Sequence, residues 1–189
     1  MKNLSTIVIA LALAFTGTNG IAQTKAVDAK KSTINWVGKK VTGSHEGTVK
    51  LKDGAFFMKG NKIVRGKFTV DMSSIEVTDL KAGEGKEKLE GHLKADDFFG
   101  TEKFPTASLN FKSVKPKANN VYEVVADMTI KGITKPVSFD LTVKGNTATA
   151  KVTVDRTKYD IKYGSGSFFD NLGDKAISDN FDLTVALQF

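Results

Sequence analysis

The sequence predicts an all-β fold: an antiparallel, eight-stranded barrel carrying one short helical insertion. Apolar and polar residues alternate with a period of two through most of the chain beyond residue 30, as in sheets packed on one face and wet on the other. Turn-forming residues stand between the alternating runs: Asp53-Gly54, Lys59-Gly60-Asn61, Asn119-Asn120 and Gly145-Asn146. The runs number about eight, at which a closed barrel has an interior fit for side chains or one small ligand.

Residues 1–22 are expected to lie outside this barrel. Lys2 gives a basic start, residues 4–15 are almost wholly apolar, and Gly20-Ile21-Ala22 puts small side chains at −3 and −1. That is the layout of a secretory signal peptide cleaved after Ala22, and its apolar run is too short to span a bilayer. With no cysteine after the cleavage site, a lipoprotein anchor is not expected, so the product is periplasmic or secreted.

Residues 23–189 are expected to form one domain. Its first strand carries Ile34 and Trp36, and the next clear run has Val64, Phe68, Val70 and Met72 on one parity. Between Asp79 and Gly100 the alternation breaks, and the spacing of Leu80, Leu89 and Leu93 predicts a loop and a helix over Lys86–Lys94. Leu109 and Phe111 then mark a strand, followed by Tyr122, Val124, Ala126, Met128 and Ile130 on another. Gly132 to Pro136 reads as a longer connection, with Pro136 opening the strand of Val137, Phe139, Leu141 and Val143. Ala148, Ala150, Val152 and Val154 form the next inward set, and Phe181, Leu183, Val185 and Leu187 the last. Residues 156–175, rich in Gly and Tyr, are irregular.

Composition narrows the chemistry. There is no cysteine, which excludes disulfides, thiolate metal sites and cysteine nucleophiles, and histidine occurs only at 45 and 92. His45, His92 and Asp96 or Asp97 would suit a two-His, one-carboxylate metal site if the fold joined them; otherwise the histidines are hydrogen-bonding residues. No nucleophile elbow, phosphate-binding loop or dinucleotide fingerprint is present. Between residues 25 and 67, eleven Lys and Arg face three acidic residues. On outward strand faces these are a solvated, edge-protecting surface. For an exported chain the functional alternative is peripheral contact with anionic membrane lipid, not nucleic acid.

The inward parity carries Phe68, Val70, Leu109, Phe111, Met128, Ile130, Phe139, Leu141, Val152, Val154, Phe181 and Leu183. These side chains either fill the barrel or line an apolar tunnel for a hydrocarbon ligand. Small residues beside them (Gly38, Gly43, Gly66, Ala107, Ala126, Ala148, Ala150) favour a cavity. The pairs Phe56-Phe57, Phe98-Phe99 and Phe168-Phe169 sit near loops, where they cap the barrel ends or form a hydrophobic mouth.

Several linked elements are familiar: Gly43-Ser44-His45-Glu46-Gly47, Gly91-His92-Leu93-Lys94-Ala95-Asp96-Asp97-Phe98-Phe99, Phe104-Pro105, and Gly132-Ile133-Thr134-Lys135-Pro136. With Trp36-Val37-Gly38 and Gly66-Lys67-Phe68-Thr69-Val70, they make the chain resemble the YceI-like family of secreted bacterial proteins. The resemblance implies an extended, lipocalin-like barrel that binds a polyisoprenoid or other long-chain amphiphile in an apolar pore, often as a homodimer. It implies no catalytic activity and no cofactor. By position, the inward residues above would line the pore. His92, Phe98 and Phe99 of the helical insertion, with Phe168 and Phe169, would form its mouth.

Overall fold

Each alternating strand has one apolar face to cover, and closing the sheet on itself covers them all at once. The computed structural model describes residues 23–189, so the expected signal peptide lies outside the described residues. The strands are β1 (Gln23–Ala26), β2 (Thr33–Lys40), β3 (Gly43–Lys59), β4 (Lys62–Val77), β5 (Thr106–Pro116), β6 (Val121–Ile130), β7 (Ile133–Lys144), β8 (Thr147–Asp155) and β9 (Ile177–Gln188). Every pairing is antiparallel, in the order β3-β2-β9-β8-β7-β6-β5-β4, and β4 returns to β3. This closes an eight-stranded barrel with β1 as an extra strand.

β1 and β2 behave as two halves of one stave. β4 occupies one edge of β3 along its length, so β1 (on Ala55–Met58) and β2 (on Gly43–Thr48) share the other. The turn between them is held by Asp28, whose carboxylate accepts from the Lys30 and Lys31 amides.

Three local readings are corrected. Asp53-Gly54 is not a hairpin: it lies inside β3, where a register shift between Leu51 and Asp53 takes up an extra residue. Gly132–Pro136 is not a long connection either. Lys131 and Gly132, both at positive φ, make a two-residue turn, and Pro136 stands within β7. Val64 is 40% exposed, because a second shift near Phe57 and Met58 turns Ile63 inward instead.

The helix α1 (Lys86–Lys94) falls where the leucine spacing puts it. Glu87 in its first turn and Lys94 in its last complement the helix dipole. It is tied to β4: Glu90 accepts from the Val77 amide at 2.9 Å, and Lys86 pairs with Glu76 at 3.0 Å. Leu93 is its buried residue.

One end of the barrel is filled by phenylalanine. Phe56 packs edge-on against Phe68 (5.1 Å between centroids) and Phe189 (4.9 Å), and Phe111 bridges Phe68 to Phe139. Such pairs contribute about 0.5–1.5 kcal/mol each beyond their area burial.

The barrel is not evenly sealed. β7 pairs with β8 only from Leu141 to Lys144, and the stretch Ile133–Asp140 pairs with β6 alone among the described residues. A cleft of about 250 Å³ follows this split, lined by Pro136, Ser138, Thr153, Lys158 and Tyr159. Proline's missing N–H is tolerated at such an edge.

Candidate functional site

Beyond the phenylalanine floor the barrel is hollow. A cavity of about 190 Å³ runs between the strands, and its wall is almost entirely aliphatic and aromatic. It extends from Phe111, Phe139 and Leu187 at the floor to Gly38, Phe99 and Phe181 at the α1 end. There the wall includes the exposed residues Lys39 and Asn180. The β2–β9 register also shifts there, with one β2 residue facing three of β9 between Gly38↔Phe181 and Lys40↔Ile177.

Phe68, Val70, Leu109, Phe111, Met128, Ile130, Phe139, Leu141, Val152, Phe181 and Leu183 all stand on this wall. Val154 does not. It is 1% exposed and packed in the core beside its β9 partner Phe181, short of the cavity wall. The small residues divide likewise. Gly38, Ala107 and Ala150 border the cavity, whereas the space beside Gly66 is taken by the Phe68 and Phe111 rings, and Ala126 and Ala148 lie off the wall. The wall also includes Ile34 and Trp36 of β2 and Val49 and Leu51 of β3, whose period-two spacing was the available signal.

At the α1 end Leu93, Phe98 and Phe99 close over the cavity, with Phe99 6.1 Å from Phe181. His92 sits behind them. Its ring packs 4.4 Å from Tyr163 and 5.5 Å from Phe98, and its buried Nε2 has no partner among the described residues. Phe168 and Phe169 take no part in the wall: they are 50% and 51% exposed. Both of their amides donate back to the Ser165 carbonyl, a tight turn that carries the rings outward. His45 lies elsewhere, its Nδ1 2.8 Å from Asp79, so the two histidines take separate partners. Among the described residues no cluster of three metal-ligating side chains occurs.

One residue of the wall has no counterpart in the sequence reading. Arg156 opens a 3₁₀ turn after β8, is 2% exposed, and borders the cavity. Its guanidinium donates to the carbonyls of Ser178, Ile161 and Ile177, and lies 5.7 Å from the Phe98 ring centroid. Burial pushes its pKa down, while Asp179 and Asp155 oppose that shift; it remains a cation at neutral pH. Burial likewise raises the pKa of the neighbouring Tyr159.

The barrel has known counterparts. The family model for the YceI-like domain matches residues 26–189. The chain is 35% identical over 95 residues to a UPF0312 protein of Shewanella denitrificans, covering 50% of this chain and 45% of that one. It is 30% identical over 99 residues to protein YceI of Escherichia coli O17:K52:H18, covering 52% and 48%. The chain thus spans about half the length of these curated relatives. Among solved structures, Burkholderia cenocepacia BcnA superposes with a TM-score of 0.64 at 22% identity, over 85% of this chain and 98% of that one. A structure described as a polyisoprenoid binding domain from Saccharophagus degradans gives 0.57 at 13% identity, over 88% and 97%. With the family model running from the end of β1 to the last residue of the chain, the chain belongs to the YceI-like family.

Proposed function

We propose that this protein binds the apolar tail of a polyisoprenoid or another long-chain amphiphile inside its barrel, as a carrier or store rather than a catalyst. The observation that carries this reading is the cavity, an apolar space of about 190 Å³ within a closed barrel. Each methylene buried there contributes about 0.8 kcal/mol before entropic costs. The shared fold with the Saccharophagus degradans polyisoprenoid binding domain supports the same ligand class. The reading includes export through residues 1–22 to the periplasm or beyond, peripheral contact with the membrane that supplies the ligand, and assembly as a homodimer.

Native mass spectrometry of the purified protein, followed by organic extraction, tests the reading. A co-purifying long-chain lipid is expected. Its absence, together with failure to take up added long-chain lipid, would leave a barrel serving as a structural or interaction protein; a stoichiometric transition metal would point to catalysis. N-terminal sequencing of the periplasmic fraction should begin at Gln23, and an intact Met1 would refute export.

A further inference from the structure

The two rings that the cavity does not use are held firmly in the open. The Phe168 and Phe169 amides donate to the Ser165 carbonyl at 3.1 and 3.0 Å, and Ser165 itself is fully buried. The chain just before them is pinned as well: the Ile177 amide donates to the Gly164 carbonyl, and Arg156 donates to that of Ile161. Tyr163, about half exposed, leans on His92 of α1, and Lys162 Nζ stands 5.2 Å from the centre of the Phe168 ring. Val41, in the β2–β3 turn, is more exposed still, and its amide donates to the Ala176 carbonyl at the end of the same connection. Among the described residues five large apolar side chains are exposed, and all but Val64 belong to these two segments at the α1 end of the barrel. Folding gains nothing from leaving them in water, and such a grouping marks a contact surface.

We propose that this surface docks the protein onto a phospholipid bilayer, with Val41, Tyr163, Phe168 and Phe169 entering the interface. The proposal deepens the binding reading above, from which it takes the membrane as the source of ligand. It assigns the contact to the end of the barrel where Phe98, Phe99 and Phe181 border the cavity. A second copy of the chain is the poorer fit. At about 200 Å² per large side chain, the open halves amount to roughly 400 Å², against ~800 Å² that each partner buries in a stable protein pair. The charges around the rings nearly balance, with Lys39, Lys40, Lys162 and Lys175 against Asp160, Asp170 and Asp174. Lys39 and Lys162 already pair with Asp182 and Asp160. That leaves Lys40 and Lys175, beside the Val41–Ala176 hydrogen bond, to reach lipid phosphates while their stems lie along the apolar surface. Aromatic insertion therefore supplies most of the attachment, and phosphate contact adds to it. Because the turn is preformed, little order is lost on docking.

Flotation of the purified exported protein with vesicles of phosphatidylcholine, alone or with about a quarter phosphatidylglycerol, tests this. Wild type is expected to float with both, several-fold more tightly with the second. Phe168→Ser combined with Phe169→Ser should weaken binding to both about tenfold at an unchanged melting temperature, whereas Val64→Ser should not weaken it. Lys40→Gln with Lys175→Gln should remove only the gain from phosphatidylglycerol. Phe169→Trp keeps an apolar ring and gives a readout that needs no disruptive change. Brominated lipid should quench its emission well beyond that of wild type, whose single tryptophan, Trp36, stands in the cavity wall. Wild type that stays in solution, a double phenylalanine variant that floats as well as wild type, or a Phe169→Trp emission that escapes quenching would each overturn the proposal. So would a dimer that the double variant dissociates without any flotation, which would assign the patch to a second copy. Lipid extraction of the same preparations keeps the two readings apart. A double variant that still holds lipid but no longer floats supports docking, whereas wild type that floats without ever holding lipid overturns the binding reading alone.

Discussion

The Phe111 ring lies where a side chain at Gly66 would be: a Cβ added there would stand 2.8 Å from Phe111 Cδ2 and 2.9 Å from Phe68. The same atom added at Gly38, which borders the hollow end of the cavity, would meet nothing within 4 Å. Gly66→Ala should therefore strain the floor and cost about 1–3 kcal/mol, the usual penalty of overpacking. Gly38→Ala should be close to neutral. Urea denaturation of both variants checks the contrast, and equal costs would mean that the floor and the hollow end are packed alike.

The two alanines that look equivalent in the sequence should also part company. Ala150 borders the cavity, whereas Ala126 is fully buried and pairs in register with Phe111 of the floor. Ala150→Phe is expected to fill empty space, abolishing uptake of long-chain lipid with the melting temperature unchanged or higher. Ala126→Leu should overpack and lose about 1–3 kcal/mol. Thermal melts paired with lipid extraction distinguish them, and a strongly destabilised Ala150→Phe protein would argue for a solid core.

These contrasts mark what period-two reading can and cannot deliver. Alternation identifies an inward face, so the barrel, its closure and the helix at 86–94 were legible. Whether an inward residue meets empty space or another ring depends on its height along the barrel, which alternation does not encode. Gly38 and Gly66 are alike in sequence and opposite in packing for that reason. Val64 and Asp53-Gly54 misled because β-bulges shift the register without a strong residue signature. Arg156 was invisible, since its role depends on three backbone carbonyls supplied by residues 161, 177 and 178. Phe168 and Phe169 looked like a mouth because a loop pair of phenylalanines is apolar; the Ser165 turn decides their direction.

Acid should loosen the tether between the β2–β3 hairpin and the segment leading to α1. Asp79 accepts from His45 Nδ1 and, at 3.1 Å, from the Glu46 amide. Partial burial works to raise its pKa, but these hydrogen bonds outweigh it and hold the value below that of a free aspartate. A depressed folded-state pKa gives stability that is fully present above about pH 4, the unfolded value, and is lost as pH falls through the folded one. Asp79→Asn should flatten the acid limb of the stability curve below pH 4 while changing its neutral plateau much less. Urea midpoints measured from pH 2 to pH 7 would show this, and parallel acid limbs for the two proteins would exclude Asp79 as a contributor.

The split between β7 and β8 should be visible in amide hydrogen exchange. Along an antiparallel strand successive amides point to opposite neighbours, so half of those in Ile133–Asp140 donate to β6 and half face the cleft. The cleft-facing amides lack a ladder partner there, as do the amides of Lys151–Asp155 that point toward β7. Their alternate neighbours are held by β6 and β9 respectively. Exchange measured residue by residue should therefore alternate fast and slow along both stretches, and protection should become continuous from Leu141 to Lys144, where the β7–β8 ladder is intact. Pro136 contributes no amide, which removes one position from the series. Uniform protection across 133–140 would mean that β7 and β8 are zipped along their full length in solution. The cleft beside Tyr159 would then be closed.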